Sequence, residues 1–113
     1  PRSVTLIRPH DVDLRMAACL RALMAGPSTV MLASHDPVFV ALGEQLMASL
    51  DRQLEFQMLQ GIRPLEQRRL VDIGHRMRVY LPYGHDWYRY CTRRIVERPG
   101  NIWLFGRSLV ERR

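Results

Sequence analysis

Lysine is absent: all 17 basic residues of the 113-residue chain are arginines. Its positive charge is therefore carried by planar guanidinium forks, which suit bidentate carboxylate recognition better than an ammonium does. Cysteine is nearly absent too. Cys19 and Cys91 stand far apart, and without CxxC or His/Cys spacing they exclude the usual zinc arrangements and are expected to be reduced, packed thiols. No apolar run approaches the roughly 20 residues of a membrane-spanning helix. Pro1-Arg2-Ser3 opens neither a secretory signal nor an initiator Met, so the true N-terminus is expected to be missing. GxGxxG and GxxxxGK fingerprints are both lacking, which removes support for the Rossmann and P-loop versions of an α/β fold.

What is present is ordinary for a folded chain: 47% hydrophobic and 25% charged residues exclude a disordered or low-complexity class. The net charge of +6 and pI near 10.3 invite a phosphate-binding reading, through nucleic acid or a membrane surface. The arginines, however, are dispersed, with adjacent pairs at Arg68-Arg69, Arg93-Arg94 and Arg112-Arg113 alone. Charge by itself selects no partner.

Punctuation along the chain is regular. Residues 12–24 place Val12, Met16, Cys19, Leu20 and Leu23 at helical spacing before Gly26-Pro27. Thr29 to Ala33 forms a short continuous apolar run, expected to be a strand buried on both faces. Asp36 then caps a helix opened by Pro37 and running to about Leu50. A strand is expected over Leu54 to Leu59, a helix from Pro64 to near Gly74, a strand over Met77 to Leu81, and a helix from Asp86 to about Arg98. The order α-β-α-β-α-β-α with short connections predicts parallel strands in an α/β architecture, without a domain boundary. A doubly wound sheet and a piece of a (βα)₈ barrel fit this pattern equally. A complete barrel does not fit, because it needs roughly 250 residues.

In such sheets ligands bind at the carboxyl ends of the strands. There the chain places Ser34 and His35, Glu55 and Gln57, then Tyr80 and Tyr83. His35 taken alone reads as local hydrogen bonding before a capped helix. Gln57 inside a strand is harder to dismiss, since a buried amide needs partners for its oxygen and both donors. In the last helix, Tyr90, Arg93, Arg94 and Glu97 fall in one stripe at i, i+3, i+4 and i+7. Trp87, Cys91 and Ile95 form a neighbouring apolar stripe expected to face the body of the protein. A solvated face with an Arg93–Glu97 pair is the plain reading. The sharper one is a small carboxylate held by two guanidinium forks against an aromatic wall.

Four segments then carry a resemblance. Ala33-Ser34-His35-Asp36, the run from Glu55 to Gly61, the run from Arg78 to Gly84 and the run from Tyr90 to Pro99 closely resemble, in order and spacing, the C-terminal part of proline dehydrogenases. The Gln-Met-Leu and Leu-Pro-Tyr-Gly segments are more similar to the monofunctional bacterial type. Cys91, where an aliphatic residue is usual, and Gln60, where an aromatic is common, depart from the pattern.

The resemblance implies that residues 1–113 form the C-terminal part of a (βα)₈ barrel, with about three parallel strands and four helices. It implies FAD as cofactor, L-proline as substrate, Δ1-pyrroline-5-carboxylate as product and a membrane quinone as the acceptor that reoxidises the flavin. On matching positions, Arg93 and Arg94 clamp the proline carboxylate, Tyr80 and Tyr90 wall the ring, and Leu59 is an apolar contact to it. Ala33, Ser34, His35 and Gln57 line the flavin, and Arg94 with Glu97 reaches it from the last helix. It assigns no acid, base or nucleophile and no metal ligand in this chain. The implied location is cytoplasmic, with peripheral attachment to the inner membrane face as an option. The family's first five strands, and the lysine, aspartate and arginine contacts on them, have no counterpart here. The chain is therefore expected to partner a missing N-terminal part of the barrel, or else to be an inactive basic α/β fragment serving as a binding or structural module. Non-specific nucleic-acid association belongs to that second reading; a specific nucleic-acid partner is not expected.

Overall fold

A computed structural model describes residues 8–97, the side chains of residues 91 and 94–97 lying outside the described set. The order is α1 (Pro9–Ala25), β1 (Val30–Ala33), α2 (Pro37–Leu50), β2 (Leu54–Leu59), α3 (Pro64–Asp72), β3 (Arg76–Tyr80) and α4 (Trp87–Glu97). The strands are parallel and make one three-stranded sheet in the order β1-β2-β3. The chain divides into two compact units between Glu55 and Phe56, inside β2.

Local chemistry explains the boundaries. Asp36 accepts a hydrogen bond from the Val38 N–H at 2.8 Å, and Pro37 occupies the first turn of α2, where its missing donor costs little. Pro64 opens α3 in the same way. That helix ends with His75 N–H on the Leu70 carbonyl and Gly74 N–H on the Val71 carbonyl, both at 2.9 Å. This closure requires the left-handed backbone of Gly74, at φ 90°.

In the first unit, α1 and α2 pack against each other, and Leu20, Met24, Val30, Leu32, Phe39, Val40, Met47 and Leu54 are buried. Two expectations are corrected here. β1 is buried on one face only: Val30 and Leu32 point inward while Met31 is 60% exposed. A run such as TVMLA is compatible with cover on both faces but cannot itself supply the second layer. Secondly, Cys19 is exposed rather than packed, and Leu23 is exposed with it. The buried line of α1 runs through Leu20 and Met24, four residues apart, and turns Cys19 and Leu23 outward. Cys91 lies outside the described side chains.

Arg52 ties this unit together. Its guanidinium donates to the carbonyls of Leu23 (3.5 Å), Met24 (2.5 Å), Gly26 and Ser28 (2.8 Å). It thereby binds the C-terminal end of α1 and the turn that follows it, where positive charge is favoured.

In the second unit, Phe56, Met58, Leu59, Ile62 and Leu70 are buried. Phe56 lies 5.7 Å from the His75 ring at a tilt of 45°. Glu66 holds Arg69 with both carboxylate oxygens, at 2.6 and 3.0 Å, with Arg63 at 3.9 Å. The third strand is more open than its sequence suggests: Val79 and Tyr80 are 39% and 36% exposed.

Candidate active site

In the first unit lies the carboxyl end of β1. Ala33 is exposed there, and Ser34 and His35 are half-buried. Ser34 Oγ accepts from the Asp36 N–H at 3.2 Å, while Asp36 caps α2, so the loop that carries His35 is anchored on its helix side.

In the second unit lie the carboxyl ends of β2 and β3. Along β2, Leu54, Phe56 and Met58 share one fully buried face, and Glu55, Gln57 and Leu59 share the other. Gln57 is half-buried on that more open face, and Leu59 is nearly closed off from solvent at the strand end. The Gln60 N–H donates to the Tyr80 carbonyl at 2.9 Å. In a parallel ladder this bond pairs Leu59 with Tyr80, and two residues earlier Gln57 with Arg78, on the same face. Two expected substrate contacts are thus neighbours in register at the carboxyl ends of adjacent strands.

Tyr90 and Arg93 stand one turn apart in α4, Tyr90 being 37% exposed and Arg93 exposed. Arg94 and Glu97 belong to the same helix, but their side chains lie outside the described residues. The apolar stripe expected through Trp87 is not buried at its start. Trp87 is 54% exposed and meets Tyr88 edge-on, with centroids 5.9 Å apart. An indole at the first helical position has helix on one side only, and here it takes the adjacent ring as its partner.

Charge around α3 is organised as well. Glu66 is held below its ordinary value by its hydrogen bonds to Arg69, helped by the nearby charges of Arg69 and Arg63 and opposed by partial burial. Among the described residues, no group of three His, Cys, Asp or Glu side chains converges as a metal site would require. No described helix is long and apolar enough to cross a membrane.

Sequence reasoning missed Gln67. Its amide Nε2 donates to the carbonyl of Ile62 at 2.7 Å and to that of Leu59 at 3.1 Å, so it grips the turn that follows an expected substrate contact. The available signal was a glutamine one turn inside a proline-opened helix, beside the glycine of a tight turn.

Comparison with known proteins bears out the resemblance. A family model described as "Proline dehydrogenase" matches residues 3–101. "Proline dehydrogenase 1" of Bacillus subtilis (strain 168) is 44% identical over 106 residues, covering 91% of this chain and 35% of that protein. "Proline dehydrogenase 2" of the same strain is 41% identical over 95 residues, covering 81% of this chain and 31% of its own length. A "Proline dehydrogenase" of Deinococcus radiodurans is 62% identical over 47 residues, which are 42% of this chain and 15% of that protein. The chain thus spans about a third of the Bacillus relatives it matches. Three parallel strands and four helices agree with part of that family's barrel.

Proposed function

The chain belongs to the proline dehydrogenase family, and from that premise we propose that it forms the C-terminal, substrate-holding part of an FAD-dependent enzyme oxidising L-proline to Δ1-pyrroline-5-carboxylate. The observation that carries the reading is the register of Leu59 beside Tyr80 at the carboxyl ends of two parallel strands, where α/β enzymes build their sites. An isobutyl group and a phenol side by side suit an apolar ring. Arg93 and Arg94 clamp the carboxylate, with Tyr90 one turn before Arg93 completing the aromatic wall.

The donor set also fits a flavin. A hydroxyl at Ser34, an imidazole at His35 and an amide at Gln57 are groups able to hydrogen-bond the nitrogen and oxygen atoms of an isoalloxazine, and the exposed Ala33 presents only a methyl group. Arg94 and Glu97 serve the cofactor from α4. When bound, the flavin supplies the acceptor for the two electrons and two protons that leave proline as a ring C–N bond becomes C=N; a membrane quinone then takes the electrons on. This chain's residues need to supply no strong acid or base if the amine enters deprotonated. Their work is to fix the carboxylate, hold the ring and exclude water.

The test uses the complete enzyme of which this chain is the C-terminal part. Anaerobic proline should bleach the absorbance of bound flavin, and a quinone should restore it. The 113-residue chain alone should retain little FAD and turn over no proline, since most of the flavin contacts belong to strands it lacks. A complete, flavin-loaded enzyme that proline does not reduce would sink the proposal.

A further inference from the structure

We infer that Gln67 is a positioning residue for the substrate pocket, fixing the β2–α3 turn so that Leu59 sets the size of ring accepted. The inference rests on the reading of Leu59 as a substrate contact and extends it to a residue of α3 that binds the Leu59 carbonyl.

The turn is costly to hold. From Leu59 to Ile62 the chain reverses through Gly61 in the left-handed region at φ 83°, and Arg63 repeats that conformation at φ 49° without being glycine. Backbone bonding supplies one closure, Ile62 N–H to the Leu59 carbonyl at 3.1 Å. Gln67 supplies the others, one amide nitrogen reaching the carbonyls of Leu59 and Ile62 from inside α3. The Leu59 carbonyl therefore takes two donors, and the next residue, Gln60, is bound to Tyr80. Leu59 is thus clamped on its C-terminal side by α3 and in register by β3. Removing the Gln67 donor leaves the ladder bond and the Ile62–Leu59 closure but loosens the turn, so the strand end can shift slightly beside Tyr80 while the strand stays in place.

Three variants of the complete enzyme test this. Gln67→Glu keeps the shape but turns a carboxylate toward two carbonyls, Gln67→Met keeps the length without a donor, and Gln67→Lys retains a donor. The readout is kcat/KM for L-proline over that for its six-membered-ring homologue, with flavin content measured alongside. The Glu and Met variants should lose about fivefold of that preference, the worth of the one hydrogen bond, of ordinary strength, that Gln67 makes to Leu59 itself, mainly through a higher KM for proline, and should keep their flavin. Lysine should restore most of it. A purely structural glutamine would lower stability and leave the ratio unchanged, and an unchanged ratio overturns the inference. So does failure of both donor-less variants to fold while Gln67→Lys folds with flavin, since Gln67 would then serve stability alone. Failure of the wild-type enzyme to oxidise proline is a separate outcome, striking the proposed function and removing the site that Gln67 is inferred to position.

Discussion

Leu59 and Tyr80 are neighbours in register because the Gln60 N–H donates to the Tyr80 carbonyl at 2.9 Å, yet they differ sharply in burial, at 5% and 36% exposure. Their truncations should therefore separate. Leu59→Ala empties a closed position and should destabilise the fold by about 2–4 kcal/mol. Tyr80→Ala should cost about 1 kcal/mol or less and instead lower kcat/KM for proline by about tenfold. Denaturant unfolding beside steady-state kinetics of the complete enzyme checks both. Equal stability losses with unchanged KM would remove Tyr80 from the ring wall.

Arg52 should matter to stability far more than its place between a helix and a strand suggests. Its guanidinium serves four carbonyls from Leu23 to Ser28, at the end of α1. Arg52→Met keeps much of the stem but strips those donors, for an expected loss of about 2 kcal/mol. Arg52→Lys should recover a minor part, because a point charge cannot span the turn as a fork does. The measurement is the unfolding midpoint in urea with the slope held constant.

Glu66 predicts a pH dependence of known sign. Its pKa is lowered in the fold, chiefly by hydrogen bonds to Arg69. The folded state then binds the proton less readily than the unfolded chain, so the stabilisation is complete above the ordinary carboxylate value of 4.5 and is lost as pH falls through the lower folded value. The Glu66 side chain is 17% exposed and Arg69 44%, which places the effect in the range of a surface pair, about 0.5–1 kcal/mol. Glu66→Gln should match wild type in stability at the acid end of this window and fall below it at neutral pH. A difference that is constant across pH would reject the pair as its source.

Much of this organisation was legible because the chain states it locally. Asp36-Pro37, Pro64 and Gly74 each fix a helix end through their own backbone or capping chemistry, and all three act where the sequence placed them. Which face an element buries is a different kind of information. Met31 lies open although it sits in an apolar run, and Cys19 yields its inward place to Met24, since the covering layer, not the element, decides. Arg52 and Gln67 were out of reach for another reason. Their partners are main-chain carbonyls, up to 29 residues away for Arg52, and every residue type carries that acceptor. The proposed site divides along the same line: its residues are proposed from their motifs, whereas Gln67 is visible only through the turn it binds.

Arg93 and Arg94 should differ in what their loss does to the complete enzyme. Adjacent residues of a helix diverge by about 100°, so the two guanidiniums cannot do identical work even when both reach one carboxylate. Arg93 falls one turn from Tyr90 and one turn from Glu97, on the stripe proposed to hold the substrate carboxylate. Arg94 falls nearer the stripe of Trp87 and Cys91, on the side from which it would bridge substrate and flavin. Losing a charge-assisted pair of hydrogen bonds should cost about 2–4 kcal/mol of transition-state stabilisation, roughly 30- to 1,000-fold in kcat/KM. Arg93→Met should raise KM for proline with flavin retained, whereas Arg94→Met should weaken both proline and FAD binding. Lysine should rescue either position only in part. Kinetics with flavin content measured on each variant decides the matter: near-wild-type kcat/KM in both methionine variants would reject the carboxylate clamp, and identical losses of proline and flavin binding in both would reject the division of labour between them.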